Sequence, residues 1–125
     1  MVMPNKKPFS WPARFKSFTY AWAGIKAVLR TEHNALIHLA LTVAVLLAAF
    51  FFRISLQEGM ALVIVMAMVW TAEIFNTALE KAMDFISEEK HPQIGLVKDL
   101  AAAAVLVTAA AAFIVGCLVF IPKLF

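Results

Sequence analysis

Residues 59–84 read GMALVIVMAMVWTAEIFNTALEKAMD, and the stretch changes character halfway along. Gly59 to Trp70 carries no charge, whereas the continuation from Thr71 adds Glu73, Asn76, Thr77, Glu80 and Asp84. At about 100° per residue these five side chains project within roughly a 100° arc of one helical face, so they form a polar stripe. An ionisable side chain at bilayer depth costs about 2.5–3.5 kcal/mol on insertion scales, a poor setting for two glutamates without a task. The stripe marks a functional site inside, or at the rim of, a membrane.

Composition agrees with that setting. The chain has 125 residues, 63% of them hydrophobic, and a mean hydropathy of +0.86, well outside the soluble range. The whole of 1–125 reads as one integral membrane domain. The single Cys117 lies in an apolar run, which excludes an intrachain disulfide and disfavours a cysteine-based metal site. A net charge of +3 might point to nucleic acid, but its excess is placed before the first apolar span, at Lys6, Lys7, Arg14, Lys16, Lys26 and Arg30. That placement fits an anionic membrane surface and no nucleic-acid partner. Pro4, Pro8 and Pro12 interrupt the opening segment, and no compact apolar core follows its lysines, so no cleavable signal peptide is expected.

Outward from the stripe, residues 1–12 are expected to form a mobile tail. Residues 13–31 place Phe15, Phe18, Trp22, Ile25 and Leu29 at spacings of three and four, the pattern of an amphipathic surface helix. Packing against a protein core is the alternative use of that face. Thr31 to Asn34 offers capping side chains before a first span at 35–52. The second span is expected at 59–83 and the third at 100–121. A short connection, Arg53 to Glu58, joins the first two, a loop from Phe85 to Val97 precedes the third, and Pro122 is expected to end it. Alanines at 101–104 and 109–112 permit close helix approach. Basic residues before the first span and at Lys81, Lys90 and Lys98 put the N-terminus and the second loop on the cytoplasmic side. Glu32, the stripe and Asp99 then face one compartment.

Carboxylates with an asparagine are hard oxygen ligands suited to Mg²⁺, whose shell is commonly completed by water and phosphate. Glycines are too dispersed for a phosphate loop. Glu73 and Glu80 stand about 10 Å apart along one helix, so they need separate roles. The deeper Glu73 is the candidate general base toward a hydroxyl. Glu80, nearer water, is the candidate Mg²⁺ ligand together with a second carboxylate such as Glu32. Asn76 can orient either group, and Lys98 can meet phosphate oxygens. Plainer readings stand beside these: Asp84 as a partner of Lys81 or Lys98 alone, and Thr77 as a donor to its own helix. His33, His38 and His91 lack metal-ligand spacing, and Trp22 and Trp70 fit anchoring or packing.

The ExxNTxxE pattern of Glu73 to Glu80, Asp84 one turn later, His91-Pro92 and KDxAAxAVL from Lys98 to Leu106 resemble the small prokaryotic diacylglycerol kinase family. TEHN at 31–34 and IPKL at 121–124 are closer to its undecaprenol kinase branch. Ala103 stands where that family commonly has glycine, and Ile94 to Val97 where it has alanines.

The resemblance implies a homotrimeric, all-α integral membrane kinase of the bacterial inner membrane, with an N-terminal surface helix and three transmembrane helices. Its active site would face the cytoplasm and use ATP with Mg²⁺. By that analogy Glu73 is the catalytic base, Glu32 and Glu80 support metal, Asn76 shapes the site, and Lys98 with Asp99 serves the nucleotide. Asp84 and Thr77 are supporting residues. The expected reaction is phosphorylation of undecaprenol, with diacylglycerol the alternative acceptor. A non-enzymatic membrane adaptor or a proton-conducting assembly is the reading from another class.

Overall fold

The computed structural model describes residues 4–125, which form four α-helices: α1 (Trp11–Thr31), α2 (His33–Phe51), α3 (Leu56–Ile86) and α4 (Pro92–Leu124). The all-helical expectation holds, and α2, α3 and α4 are each long and apolar enough to cross a membrane. Of the expected tail, residues 1–3 lie outside the described residues, and 4–10 precede the first helix.

Three of the four helices start on a side-chain cap. Ser10 Oγ accepts a hydrogen bond from the Ala13 amide at 3.4 Å, and Pro12 falls in the first turn of α1, where its missing N–H costs nothing. The break between α1 and α2 is one residue wide: Glu32 has an extended backbone, and its amide closes the last turn on the Val28 carbonyl at 3.0 Å. Its side chain makes no cap, contrary to the capping expected of Thr31 to Asn34, and so stays available for other work.

The connection between α2 and α3 is shorter than the expected Arg53 to Glu58, because Ser55 and Glu58 form a reciprocal capping box that draws Leu56 to Glu58 into the helix. Arg53 occupies the left-handed region, with φ of 51°. The amides of Arg53 and Ile54 bond the carbonyls of Phe50 and Ala49, the crossed pattern that closes many helices, here with arginine where glycine is usual.

The second loop differs most. The region expected as loop, Phe85 to Val97, is mostly helix: α3 continues to Ile86 and α4 starts at Pro92, leaving residues 87–91 between them. Pro92 begins the helix instead of breaking it, because a first-turn proline lacks only an amide that has no helical partner there. His91 Nδ1 caps that turn by accepting from the Gln93 amide at 3.2 Å. Pro122 likewise does not stop α4, which runs to Leu124.

At a rise of 1.5 Å per residue, the 31 residues of α3 span about 46 Å, against a hydrocarbon core of about 30 Å. Measured from Gly59, Glu73 lies about 21 Å along the axis and Glu80 about 31 Å, so Glu80 reaches the edge of such a core while Glu73 stays within it.

The core is one seam. The buried residues of α3 are Leu62, Val65, Val69, Glu73, Asn76 and Thr77, recurring every three or four positions along a single face. That face packs mainly on α4, whereas α1 and α2 touch α3 at few points. Buried Ala101 and Val119 and half-buried Val105, Thr108, Ala112 and Gly116 share a face of α4, and their small side chains suit close helix packing in lipid. The apolar core stripe of α3 therefore runs without a turn into the polar stripe.

Candidate functional site

Glu73 is the most enclosed large side chain among the described residues, 1% exposed. Neither of its carboxylate oxygens has a hydrogen-bond partner. Its nearest polar neighbour across the helices is His38 of α2, whose Nε2 lies 3.6 Å from Glu73 Oε2. That separation exceeds a hydrogen bond but is within ion-pair reach. Glu32 and Glu80 also stand close enough for their charges to act on Glu73.

One turn toward the helix end, Asn76 is buried and donates from Nδ2 to Glu80 Oε1 at 3.3 Å. The amide oxygen of Asn76 is left without a partner. Buried, unpaired polar atoms cost about 1–3 kcal/mol each, more when charged, so three of them at adjacent turns form a concentrated deficit that a ligand could relieve. The plainer reading of Thr77 holds: its hydroxyl donates to the Glu73 carbonyl at 3.0 Å and keeps the helix regular at the site. Asp84 also follows its plainer reading, accepting from Lys98 Nζ at 2.6 Å across the α3–α4 gap. Both partners are solvent-accessible, so this pair contributes little stability but fixes where Lys98 rests. Asp99 is exposed on the following position and makes no ion pair among the described residues.

The structure thus draws Glu73, Asn76, Thr77, Glu80 and Glu32 into one neighbourhood, with Lys98 held to Asp84 at its outer edge. No group of three His, Cys, Asp or Glu side chains converges as a ready-made metal cage among the described residues. The hard oxygens of Glu80, Glu32 and Asn76 Oδ1 suit Mg²⁺, which takes few protein carboxylates and shares its remaining positions with water and phosphate.

His38, Thr42 and Trp70 were not legible as site residues from spacing. Trp70 Nε1 donates to Thr42 Oγ1 at 3.0 Å, Thr42 donates to the His38 carbonyl at 2.7 Å, and the His38 and Trp70 rings meet edge to face. The signal was available, since an imidazole in the interior of an apolar span is itself an expensive placement. His38, Thr42 and Trp70 also line an apolar cavity of about 360 Å³ between α2 and the α3–α4 pair, reaching Phe113 and Cys117. Trp70 separates it from a second cavity of about 220 Å³ under Ile25, Val28 and Leu29 of α1.

These features define a class: a multi-pass helical membrane protein with a buried, unpaired carboxylate in contact with a histidine that lines an apolar cavity. The chain belongs to the prokaryotic diacylglycerol kinase family, whose sequence profile matches residues 19–120. It is 40% identical over 110 residues to an undecaprenol kinase of Bacillus subtilis, covering 88% of this chain and 89% of that protein. It is 36% identical over 136 aligned positions to a diacylglycerol kinase of Synechocystis, covering 99% of this chain and 78% of that protein. Both relatives are kinases, and the family is one of integral membrane lipid kinases, which weighs against the reading as an adaptor or proton conductor.

Proposed function

We propose that this protein transfers the γ-phosphate of ATP to the hydroxyl of undecaprenol, giving undecaprenyl phosphate and ADP. The observation that carries the reading is Glu73, a buried carboxylate with both oxygens unpaired, whose neighbour His38 lines an apolar cavity. A lipid alcohol supplies what that arrangement lacks: a hydroxyl proton for the carboxylate and hydrocarbon for the cavity. Only the part of the tail nearest the hydroxyl would enter; the remainder stays in lipid.

In the transfer, the lipid oxygen forms a bond to the γ-phosphorus while the bond from that phosphorus to the β–γ bridging oxygen breaks. The hydroxyl proton passes to Glu73, and ADP leaves. Phosphoryl transfer asks the protein mainly for positioning and charge stabilisation. Glu80 and Glu32, with Asn76 Oδ1, would hold Mg²⁺, which when bound offsets the phosphate charge. Lys98, swung from Asp84, and Asp99 serve the nucleotide end, and Thr77 keeps the Glu73 turn regular.

The 40% identity to an undecaprenol kinase over nearly the full length of both chains supports undecaprenol. Diacylglycerol is the second reading, favoured by the Synechocystis relative. The basic residues before α2 support a cytoplasmic N-terminus and a site facing the cytoplasm of a bacterial inner membrane. The exposed Phe15, Phe18 and Trp22 of α1 support its lying on lipid as a surface helix. The sparse contact of α2 with α3 supports further packing between copies, as a homotrimer.

The test is a side-by-side assay of purified protein in lipid, following labelled γ-phosphate into undecaprenol and into diacylglycerol, with Mg²⁺ and with chelator. Preferred, Mg²⁺-dependent labelling of undecaprenol is expected. Preference for diacylglycerol would overturn the acceptor, and labelling of no lipid alcohol by folded protein would overturn the kinase reading for this chain.

A further inference from the structure

We infer that His38 is the positioning residue of the site, holding one oxygen of Glu73 so that the other faces the lipid hydroxyl. The inference rests on the reading of Glu73 as base.

The geometry assigns the two oxygens different surroundings. Oε2 faces His38 Nε2 at 3.6 Å, and Oε1 has no partner. Among the described residues no lysine or arginine pairs with Glu73, and Lys98, at the edge of the site, is committed to Asp84. His38 is therefore the available counter-group for a carboxylate that sits inside an apolar span. A closing movement of about half an ångström would convert the contact into a hydrogen bond from imidazole to carboxylate.

His38 is itself held. Its ring meets the edge of Trp70, whose indole N–H is fixed on Thr42, and Thr42 is anchored to the carbonyl of His38. This closed circuit ties the imidazole on α2 to α3 one turn before Glu73. His38, Thr42 and Trp70 line the apolar cavity whereas Glu73 does not, so His38 is the side chain that joins that cavity to the carboxylate.

The experiment compares His38→Gln, His38→Leu, His38→Asn and Glu73→Gln with the unaltered protein, all reconstituted in lipid vesicles containing undecaprenol. Gln can present an N–H at the reach of Nε2; Leu cannot donate, and Asn is too short. His38→Leu should lower kcat by about tenfold to a hundredfold, the scale of a misplaced reacting group, while the KM for Mg-ATP changes by less than about twofold. His38→Gln should recover most of that loss. If His38→Leu does not fold, His38→Asn takes its place. Unchanged kcat in the variants that cannot reach Glu73, equal loss in His38→Gln, or a loss confined to Tm with normal turnover per folded protein would overturn the inference. Glu73→Gln separates the two claims: if it is as active as the unaltered protein, the role of Glu73 as base fails, whereas an inactive Glu73→Gln beside fully active His38 variants removes only His38.

Discussion

α3 carries one glutamate in its first turn and another near its middle, and the two are bonded in opposite ways. Glu58, in the first turn, accepts from the Ser55 amide at 3.0 Å and from Lys123 Nζ at 3.1 Å, so its carboxylate closes a capping box and ties α3 to the last turn of α4. Glu73 is nearly inaccessible, yet neither oxygen is hydrogen-bonded. The same side chain on the same helix is satisfied where it fastens two helices and left unsatisfied where the proposed chemistry needs a base. The difference separates a structural position from a chemical one, and substitutions at the two should act on different observables.

The largest effect is expected at Glu73. Glu73→Gln keeps the shape and removes the base, so the phosphoryl-transfer rate should fall by about 10² or more with helix content retained. Thermal stability should hold or rise, because a buried carboxylate without partners is replaced by a neutral amide. Turnover assayed with undecaprenol alongside thermal unfolding in detergent reads both. A destabilised but fully active variant would place Glu73 with Glu58 and dissolve the contrast.

Glu80 tests the helix two turns beyond Glu73. It is half-buried, accepts from Asn76 and lies at the depth where a span leaves hydrocarbon. Glu80→Gln should raise the Mg²⁺ concentration needed for half-maximal rate by about tenfold or more, with a smaller loss of rate at saturating Mg²⁺. A Mg²⁺ titration identical to that of the unaltered protein would remove Glu80 from the metal set.

Much of the contrast was legible in the order of residues, because helix period is a strict geometric rule. Spacings of three and four are enough to put Glu73, Asn76, Thr77, Glu80 and Asp84 on one face, and hydropathy alone marks three spans. Proline and glycine misled at the second loop, since their meaning depends on position: Pro92 in the interior of a helix would have broken it, whereas Pro92 after a capping His91 starts one. Pairing between helices was not legible either. Nothing in spacing relates His38 to Glu73 across 35 positions of the sequence, and the distance of Lys98 from Asp84 depends on how α3 and α4 cross. Glu58 also reads as part of a loop beside the charge-free stretch from Gly59, because a capping box is read only when the residue before the helix is correctly placed.

At the structural end, Glu58→Gln keeps an acceptor for the Ser55 amide but removes the charge facing Lys123. A modest fall in Tm with unchanged kcat is expected, measured on the same preparations as Glu73→Gln. Loss of activity at full stability would show that the outer end takes part in turnover.

Arg53, three residues before the first turn of α3, should give the smallest change and the cleanest sign. Its φ of 51° is unfavourable for a side chain bearing a Cβ, yet the crossed hydrogen bonds of Arg53 and Ile54 to α2 require that conformation. Arg53→Gly removes the steric cost, about 1–2 kcal/mol in the left-handed region, but gives the unfolded chain more freedom, so the net gain should be less than about 1 kcal/mol. Reversible unfolding in detergent reads this gain, and kinase turnover should not move. A decrease in stability would mean that the exposed guanidinium, and not the backbone it sits on, is what the outer turn depends on, and charge would then matter at both ends of the molecule.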